Sequence, residues 1–321
     1  MNTPSRTALL LGFATIYLVW GSTYLGIRIA VETLPPFLMA GARFLIAGSL
    51  IAGFIAVTRG FKAKPHQWRD NILIGAFLLL GGNGLVSWAE QEIPSGIATL
   101  MVSIGPVFIV LLDWLTLAVF KDGRRGTRPT ILTFVGMALG FFGLVLLVGP
   151  SVLEAGTGHL DGYRVLALIG ASLFWGIGSL YTRYARDPAE PFTGSAIQML
   201  GGGGWLLLVS LLAGEPFHFD VAAVSARSLG AWVYLIVFGS LIGFTTFVWL
   251  MKHCTPSKVS TFAYVNPIVA VFLGWWMLHE PVNPRIFVAA AVIITGVALI
   301  TLAKNKKPLA TTPVVSTTGR G

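Results

Sequence analysis

The chain has 321 residues, of which 55% are hydrophobic and only 11% charged, with a mean hydropathy of +0.79. Soluble domains carry about 25% charged residues, so a water-facing fold is excluded and most of this surface must face lipid. The net charge of +9 does not mark a nucleic-acid binder, because the Lys and Arg residues fall in short clusters between apolar runs. The single cysteine, Cys254, leaves no disulfide framework and no thiolate metal site.

A spanning helix needs about 20 mostly apolar residues, and ten such runs are read in chain order. The first, roughly 8–31, follows a short tail bearing Arg6 and has no small-residue cleavage site after it, so it is expected to stay as a helix. It carries Tyr17, Trp20, Tyr24 and Arg28 on one face. The second, roughly 36–58, opens on Pro35-Pro36 and carries Arg43 some seven residues in. The third, roughly 71–90, holds Gly81-Gly82-Asn83-Gly84, where the helix is expected to loosen, then Ser87, Trp88 and Glu90. The fourth, roughly 95–119, holds Ser103, Asp113 and a kink expected at Pro106. The fifth, roughly 130–149, is apolar throughout. The sixth, roughly 163–184, aligns Ser172, Trp175, Ser179 and Arg183 on one face. The seventh, roughly 192–213, holds Gln198 and Gly201 to Gly204. The eighth, roughly 229–251, carries Thr245, Thr246 and Trp249. The ninth, roughly 257–279, carries Tyr264, Asn266 and a kink expected at Pro267. The tenth, roughly 285–303, precedes a Thr-rich tail, 304–321, expected to be disordered with its lysines near anionic headgroups.

The distribution of Lys and Arg sets the expected orientation. With the N-terminus inside, the inner segments hold seventeen of these residues and the outer ones three, Arg164, Arg227 and Arg285. An even helix count then puts both termini in the cytoplasm.

Two internal matches divide the chain. At an offset of 155, Leu18, Trp20, Gly21, Arg28 and Ala30 meet Leu173, Trp175, Gly176, Arg183 and Ala185. At an offset of 161, Gly82, Trp88, Pro106, Val110 and Trp114 meet Gly243, Trp249, Pro267, Val271 and Trp275. The units are 8–149 and 163–303, five helices each, and an odd number inserts the second copy upside down. Inverted repeats of this kind mark secondary transporters. The fold expected is an all-α membrane protein of ten transmembrane helices in two inverted five-helix repeats.

With these residues in view, the sequence resembles the EamA family of the drug/metabolite transporter superfamily, up to about residue 303. The resemblance is carried by Trp20-Gly21-Ser22, by Ala42-Arg43-Phe44, and by Ala98 through Pro106-Val107-Phe108. It continues in Ala263-Tyr264-Val265-Asn266-Pro267-Ile268-Val269-Ala270-Val271 and in His279-Glu280-Pro281, which is similar to the family's Gly-Glu signature. Gln198-Met199 looks most like that family's inner-membrane exporters. The resemblance implies ten helices with both termini inside, and export of small metabolites, amino acids or drugs across the bacterial inner membrane. One departure is that Val119 stands where the acidic equivalent of Glu280 is expected.

Ionisable groups at helix depth are costly and default to functional hypotheses. Arg43 has two functional readings, an anchor for a substrate carboxylate or a gate partner of Glu90. Against them stands a structural cation paired with an acid. Its counterpart at offset 155 is Gln198, which keeps hydrogen bonding without charge and favours an asymmetric site. Arg28 reads as a snorkelling cation or as the end of a polar–aromatic pathway stripe. Asp113 reads as a proton-coupling carboxylate or as a salt bridge toward Lys121, Arg124 and Arg125, and its counterpart is Gly274. Glu280 is expected to cap or bridge at the end of the ninth helix. The expected substrate lining is Trp20, Tyr24, Arg43, Asn83, Trp88, Trp175, Gln198, Trp249, Tyr264 and Asn266, with Arg28, Glu90, Asp113 and Glu280 for gating or coupling.

An intramembrane enzyme is disfavoured, since all five histidines lie in loops or at helix ends and no His-Glu-x-x-His occurs. No Gly-x-x-x-x-Gly-Lys-Ser/Thr phosphate loop is present, so a gradient is the expected driving force, with proton coupling as one form. No metal or cofactor is called for. The partners expected are a small-molecule substrate and the lipid bilayer. A channel-like facilitator or a membrane sensor is the alternative reading.

Overall fold

The computed structural model describes residues 5–119, 129–153, 161–185, 187–254, 259 and 262–304. No strand occurs among them. Besides two short turns of helix, Glu215–His218 and Val221–Ala223, the helices are α1 (Arg6–Ala30), α2 (Pro36–Thr58), α3 (Pro65–Ala89), α4 (Ser95–Val102 continuing as Gly105–Val119) and α5 (Ile131–Leu153). After them come α6 (Gly162–Tyr184), α7 (Pro191–Leu212), α8 (Ala226–Tyr234, Leu235–Ile242 and Gly243–His253 in succession), α9 (Phe262–Leu278) and α10 (Pro284–Lys304). Seven of these, α1 to α4 and α6 to α8, are long and apolar enough to cross a membrane, and α5, α9 and α10 contribute shorter apolar helices. The tail from 305 and the basic cluster Lys121, Arg124 and Arg125 lie outside the described residues.

The helix ends differ from the hydropathy reading where polar residues continue a helix. α3 begins at Pro65, not near 71, because Pro suits the first helical position and Gln67 Oε1 accepts from Lys64 N at 3.0 Å. Hydropathy registers only the apolar part of such a helix.

The kinks expected at Pro106 and Pro267 come out differently. α4 breaks at Ser103 and Ile104, just before Gly105-Pro106, because Pro106 has no N–H to give Val102 O. Ser172 Oγ of α6 lies 3.5 Å from that carbonyl. α9, in contrast, runs unbroken with Pro267 inside it.

Two stretches are π-helical, Ala76–Gly84 in α3 and Leu235–Ile242 in α8. The first contains the glycines where loosening is expected. The second is not signalled by glycine density, yet at the offset of 161 it overlaps the first. π-Helical turns concentrate at functional sites.

The helices pack through glycines that let backbones touch. A Cβ on Gly48 would stand 3.2 Å from Ala196 O and 3.1 Å from Leu200 N. A Cβ on Gly203 would stand 3.0 Å from Gly41 O and 3.0 Å from Leu45 N. These are the same contacts shifted by 155, so α2 and α7 meet through equivalent surfaces. α5 packs on α10 in the same close manner, Gly136 facing Gly296 O at 2.6 Å. Without a hydrophobic drive between helices in lipid, such small-residue contacts supply the packing energy. Side chains such as Leu18, Val57, Phe142 and Phe287 point outward, as a lipid-facing perimeter requires.

Ion pairs and caps sort the helix ends onto two faces of the bundle. At one face Arg28 meets Glu90, Arg164 meets Glu92, Arg227 meets Glu32 and Glu280 meets Ser95. At the other, Lys64 and His66 meet Asp187, and Arg183 meets Asp113. They are called the Glu90 face and the Asp187 face below.

Candidate functional site

Arg43 sits on α2 at 4% exposure, and its Nε donates to Ser240 Oγ at 2.9 Å. Ser240 belongs to the π-helical stretch of α8, whose Gly239 carbonyl accepts from Trp20 Nε1 at 3.3 Å. Gly239 packs closely here, since a Cβ would lie 3.0 Å from Thr23 Cγ2 and 3.3 Å from Arg43 Nη2. Arg43 Nη1 is buried with no hydrogen-bond partner. Neither expected pairing of Arg43 is present: its side chain bonds a neutral hydroxyl, and neither oxygen of Glu90 has a hydrogen-bond partner. The paired-cation reading is corrected the same way.

Trp20 is wedged between α8 and α9, its ring edge-on to Phe262 at 4.9 Å and tilted on Phe247 at 5.0 Å. A Cβ on Gly243 would stand 2.6 Å from Trp20 Nε1. Its counterpart Trp175 is 38% exposed and lies across Gly82, with Cε3 3.1 Å from where a Cβ would be. Phe174 covers Gly81 likewise. Each tryptophan of the 155 match thus meets the glycine of the 161 match from the other half of the chain.

Several buried polar atoms have no hydrogen-bond partner, some of them on residues expected at the site and others (Ser95 Oγ, Arg164 Nε and Ser210 Oγ) elsewhere. Buried atoms without partners include Arg43 Nη1, Asn83 Oδ1, Asn266 Oδ1 and both oxygens of Glu90. Buried polar atoms are otherwise almost always bonded, so each of these calls for an explanation. For Arg43 Nη1, Asn83 Oδ1 and Asn266 Oδ1 a polar ligand would supply one.

Other expected residues are deployed elsewhere. Gln198 Nε2 donates to Asn71 Oδ1 at 2.8 Å in the α3–α7 contact. Trp249 lies ten residues beyond Gly239 on α8, roughly 15 Å along the helix, where it packs on Gly12 and His253. The side chain of Tyr264 lies outside the described residues. Tyr24 is half-buried on α1. Arg28 does not snorkel freely, because its Nη1 donates to the Glu90 carbonyl. Trp88 is held at the rim by Arg164, whose guanidinium lies 3.9 Å over its ring and also reaches Gln91 Oε1 and Glu92 Oε1. Arg164, Asn71 and Ser240 were not singled out by sequence. A basic residue opening a helix, or one polar group in a long apolar run, was the available signal.

Asp113 is fully buried, accepts from the Tyr184 hydroxyl and lies 3.9 Å from Arg183 Nη1, which fastens α4 to the end of α6. The salt bridge anticipated for it therefore uses Arg183. Glu280 does not stay at the end of α9. Its carboxylate crosses to α4 and accepts from Ser95 N at 2.7 Å and Gly96 N at 3.1 Å, capping that helix. Gly274 makes room, since a Cβ there would stand 2.2 Å from Glu280 Oε2.

The turn leading to Glu280 puts His279 at φ 55°, the left-handed region that suits the Gly of a Gly-Glu pair. His279→Gly is expected to be neutral or stabilising by up to about 1 kcal/mol, while His279→Val is expected to cost roughly 1–2 kcal/mol. Thermal unfolding in detergent micelles separates the two.

On the Asp187 face, Asp187 accepts from Lys64 Nζ at 2.8 Å and pairs with His66 Nε2 at 3.1 Å, tying the start of α3 to the α6–α7 turn. Lys64, with His66 behind it, holds the Asp187 carboxyl below its usual range. Beside this face a cavity of about 390 Å³ opens between α2, the start of α7 and α8. Its walls include Phe54, Thr193, Leu241 and Thr245, with Arg59 and Lys62 at the rim. Leu241 directly follows Ser240, the residue that holds Arg43.

A bundle of long apolar helices with buried, unpaired polar groups has the build of a multi-pass membrane transporter. The chain belongs to the EamA-like transporter family, whose model matches residues 7–149 and again 163–302. It is 38% identical to the "Uncharacterized inner membrane transporter YedA" of Escherichia coli K12, over 91% of this chain and 90% of that one. It is 24% identical to the "Uncharacterized transporter YoaV" of Bacillus subtilis 168, over 93% of this chain and 98% of that one. A solved crystal structure shares the fold at a TM-score of 0.62 and 22% identity, covering 94% of this chain and all of that one. Family membership points to a transporter, not an enzyme.

Proposed function

We propose that this protein is a secondary transporter of the bacterial inner membrane that exports small metabolites, amino acids or drugs by alternating access. Its ten helices form two inverted five-helix repeats, 8–149 and 163–303, with both termini in the cytoplasm and the Glu90 face outside. The double match of the family model and the contacts repeated at offsets of 155 and 161 support the repeat. The excess of Lys and Arg in the segments of the Asp187 face supports the orientation.

The observation that carries a substrate site is Arg43, a buried guanidinium whose Nη1 has no partner. It is suited to a carboxylate or another anionic group, with Trp20, Asn83 and Asn266 supplying aromatic and amide contacts. The cavity lined by Leu241 and Thr245 lies along α2 and α8, the two helices that carry Arg43 and Ser240, which supports an approach from the Asp187 face. The π-helical stretches of α3 and α8 are placed to change pitch as the two halves rock.

A growth screen of an overexpressing strain against amino-acid analogues and toxic metabolites identifies the exported compound, and counterflow in proteoliposomes then tests carriage. Saturable counterflow is expected. Single-channel current without counterflow would establish a channel-like facilitator instead. Arg43→Gln is expected to weaken binding of a carboxylate-bearing substrate about ten- to a hundred-fold, the worth of one hydrogen bond to a charged group. Unchanged affinity removes Arg43 from the site.

A further inference from the structure

Three carboxylates in or at the ends of the spans stand out by sequence, and their surroundings separate them. Asp113 is bonded by Tyr184 and flanked by Arg183. Glu280 is occupied by two backbone amides of α4. Glu90 is 0% exposed and neither of its oxygens has a partner. Its main chain is fully used: Glu90 N bonds Val86 O, and its carbonyl accepts from Arg28. The side chain alone is left over.

We propose that Glu90 is the proton-binding site of this transporter. A buried carboxylate ion without donors is among the least tolerable groups in a fold, and a proton bound to one of its oxygens removes that charge. Close by on the chain, Val86, Ala89 and Ile93 are equally buried. The charged and titratable groups around it are Tyr24 and Arg28 on α1, Glu280 beyond α9, and Arg164 on α6. Arg164 donates through its Nη atoms to the Trp88 carbonyl, Gln91 and Glu92, with its Nε left without a hydrogen-bond partner, and Arg28 donates to the Glu90 carbonyl, not to its carboxyl. Glu280 repels a charge at Glu90 and Arg28 favours one. Movement of α1 relative to the end of α3 would change that balance, so proton exchange is tied to opening of the Glu90 face. A proton taken from water onto a Glu90 oxygen when that face is open forms one O–H bond and neutralises the carboxylate, which makes the opening of that face, and with it transport, depend on the pH there. The coupling rests on the transporter reading; the binding of a proton by Glu90 does not.

The test uses the purified full-length chain and dicyclohexylcarbodiimide, an apolar reagent that modifies carboxyl groups in their protonated form. Peptide mass spectrometry then reads each acid separately. Glu90 is expected to carry the adduct, with labelling falling at least about tenfold from about pH 5 to about pH 9, while Asp113 and Glu280 stay unmodified. No adduct at Glu90 at any pH, or labelling independent of pH, overturns the proposal. So does suppression of labelling by sodium chloride but not by potassium chloride at fixed pH, which would make Glu90 a sodium site. In proteoliposomes, Glu90→Gln is expected to retain counterflow and lose its response to an imposed pH gradient. A wild-type protein that labels as expected yet shows no counterflow would overturn the transporter reading and leave the proton site standing.

Discussion

Gly75→Ala is expected to destabilise the protein by about 3 kcal/mol or more, enough to abolish accumulation of folded protein in the membrane. A single methyl group at that position would stand 2.4 Å from Gln198 O and 2.9 Å from Gly202 N, so the obstacle is backbone on both sides and no rotamer change relieves it. The control lies in the facing helix. Of the four consecutive glycines there, Gly201 meets Ile72 Cα at 2.9 Å, Gly202 meets Gly75 O at 2.8 Å and Gly203 meets Gly41 O at 3.0 Å. Gly204 has nothing within 4 Å of its would-be Cβ. Gly204→Ala is therefore expected to be neutral or to stabilise by up to about 1 kcal/mol through better helix propensity. Unfolding of the purified variants in mixed micelles, with fluorescence-detected size exclusion to score folded yield, checks both. Equal effects at positions 75 and 204 would show that the α3–α7 contact is looser than described.

Glu280→Ala is expected to cost about 2–4 kcal/mol, because it strips the acceptors from two buried amides at the start of α4. Glu280→Gln keeps one acceptor oxygen and is expected to lose about half as much. Glu215 makes the comparable cap on α2, accepting from Phe37 N at 3.2 Å and Leu38 N at 2.7 Å, but it is only partly buried. Glu215→Ala is accordingly expected to cost less, about 1 kcal/mol. Thermal unfolding of the three variants ranks them; a harmless Glu280→Ala would mean that water replaces the cap. The two effects are structural, and they leave the charge chemistry of the site to Arg43 and Glu90.

Much of the candidate site was legible in the one-dimensional pattern. Arg43 drew attention because a guanidinium within an apolar run is costly wherever the helix packs, and it is indeed buried with an unpaired nitrogen. Asn83 and Asn266 were visible for the same reason, as amides in apolar company. Partners were not legible. Ser240 is a common residue in an ordinary-looking segment, and only the docking of α8 on α2 brings it to Arg43. Gln198, placed beside the pathway by its offset from Arg43, instead donates to Asn71 on α3. For Glu280 the sequence leaves a cap or a bridge at the end of the ninth helix, and the bridge it makes is to the amides that open α4. Each of these outcomes depends on residues more than 100 positions apart, which local spacing does not encode.

The sequence by itself determined the solvent of this protein, the places of its helices, and the pairing of Trp20 with Trp175 and of Gly82 with Gly243. Those follow from composition, from the length of apolar runs and from fixed offsets, all of which are properties of the chain before it folds. Only the tertiary structure decided that each of those tryptophans lies on the glycine of the opposite half, that α8 as well as α3 widens into a π-helix, and which carboxylates are satisfied. Asp113 and Glu90 are fully buried and Glu280 is partly so, and each is a costly charge unless donors reach it. What separates them is the donors that packing delivers: a tyrosine for the first, two helix-end amides for the second and none for the third.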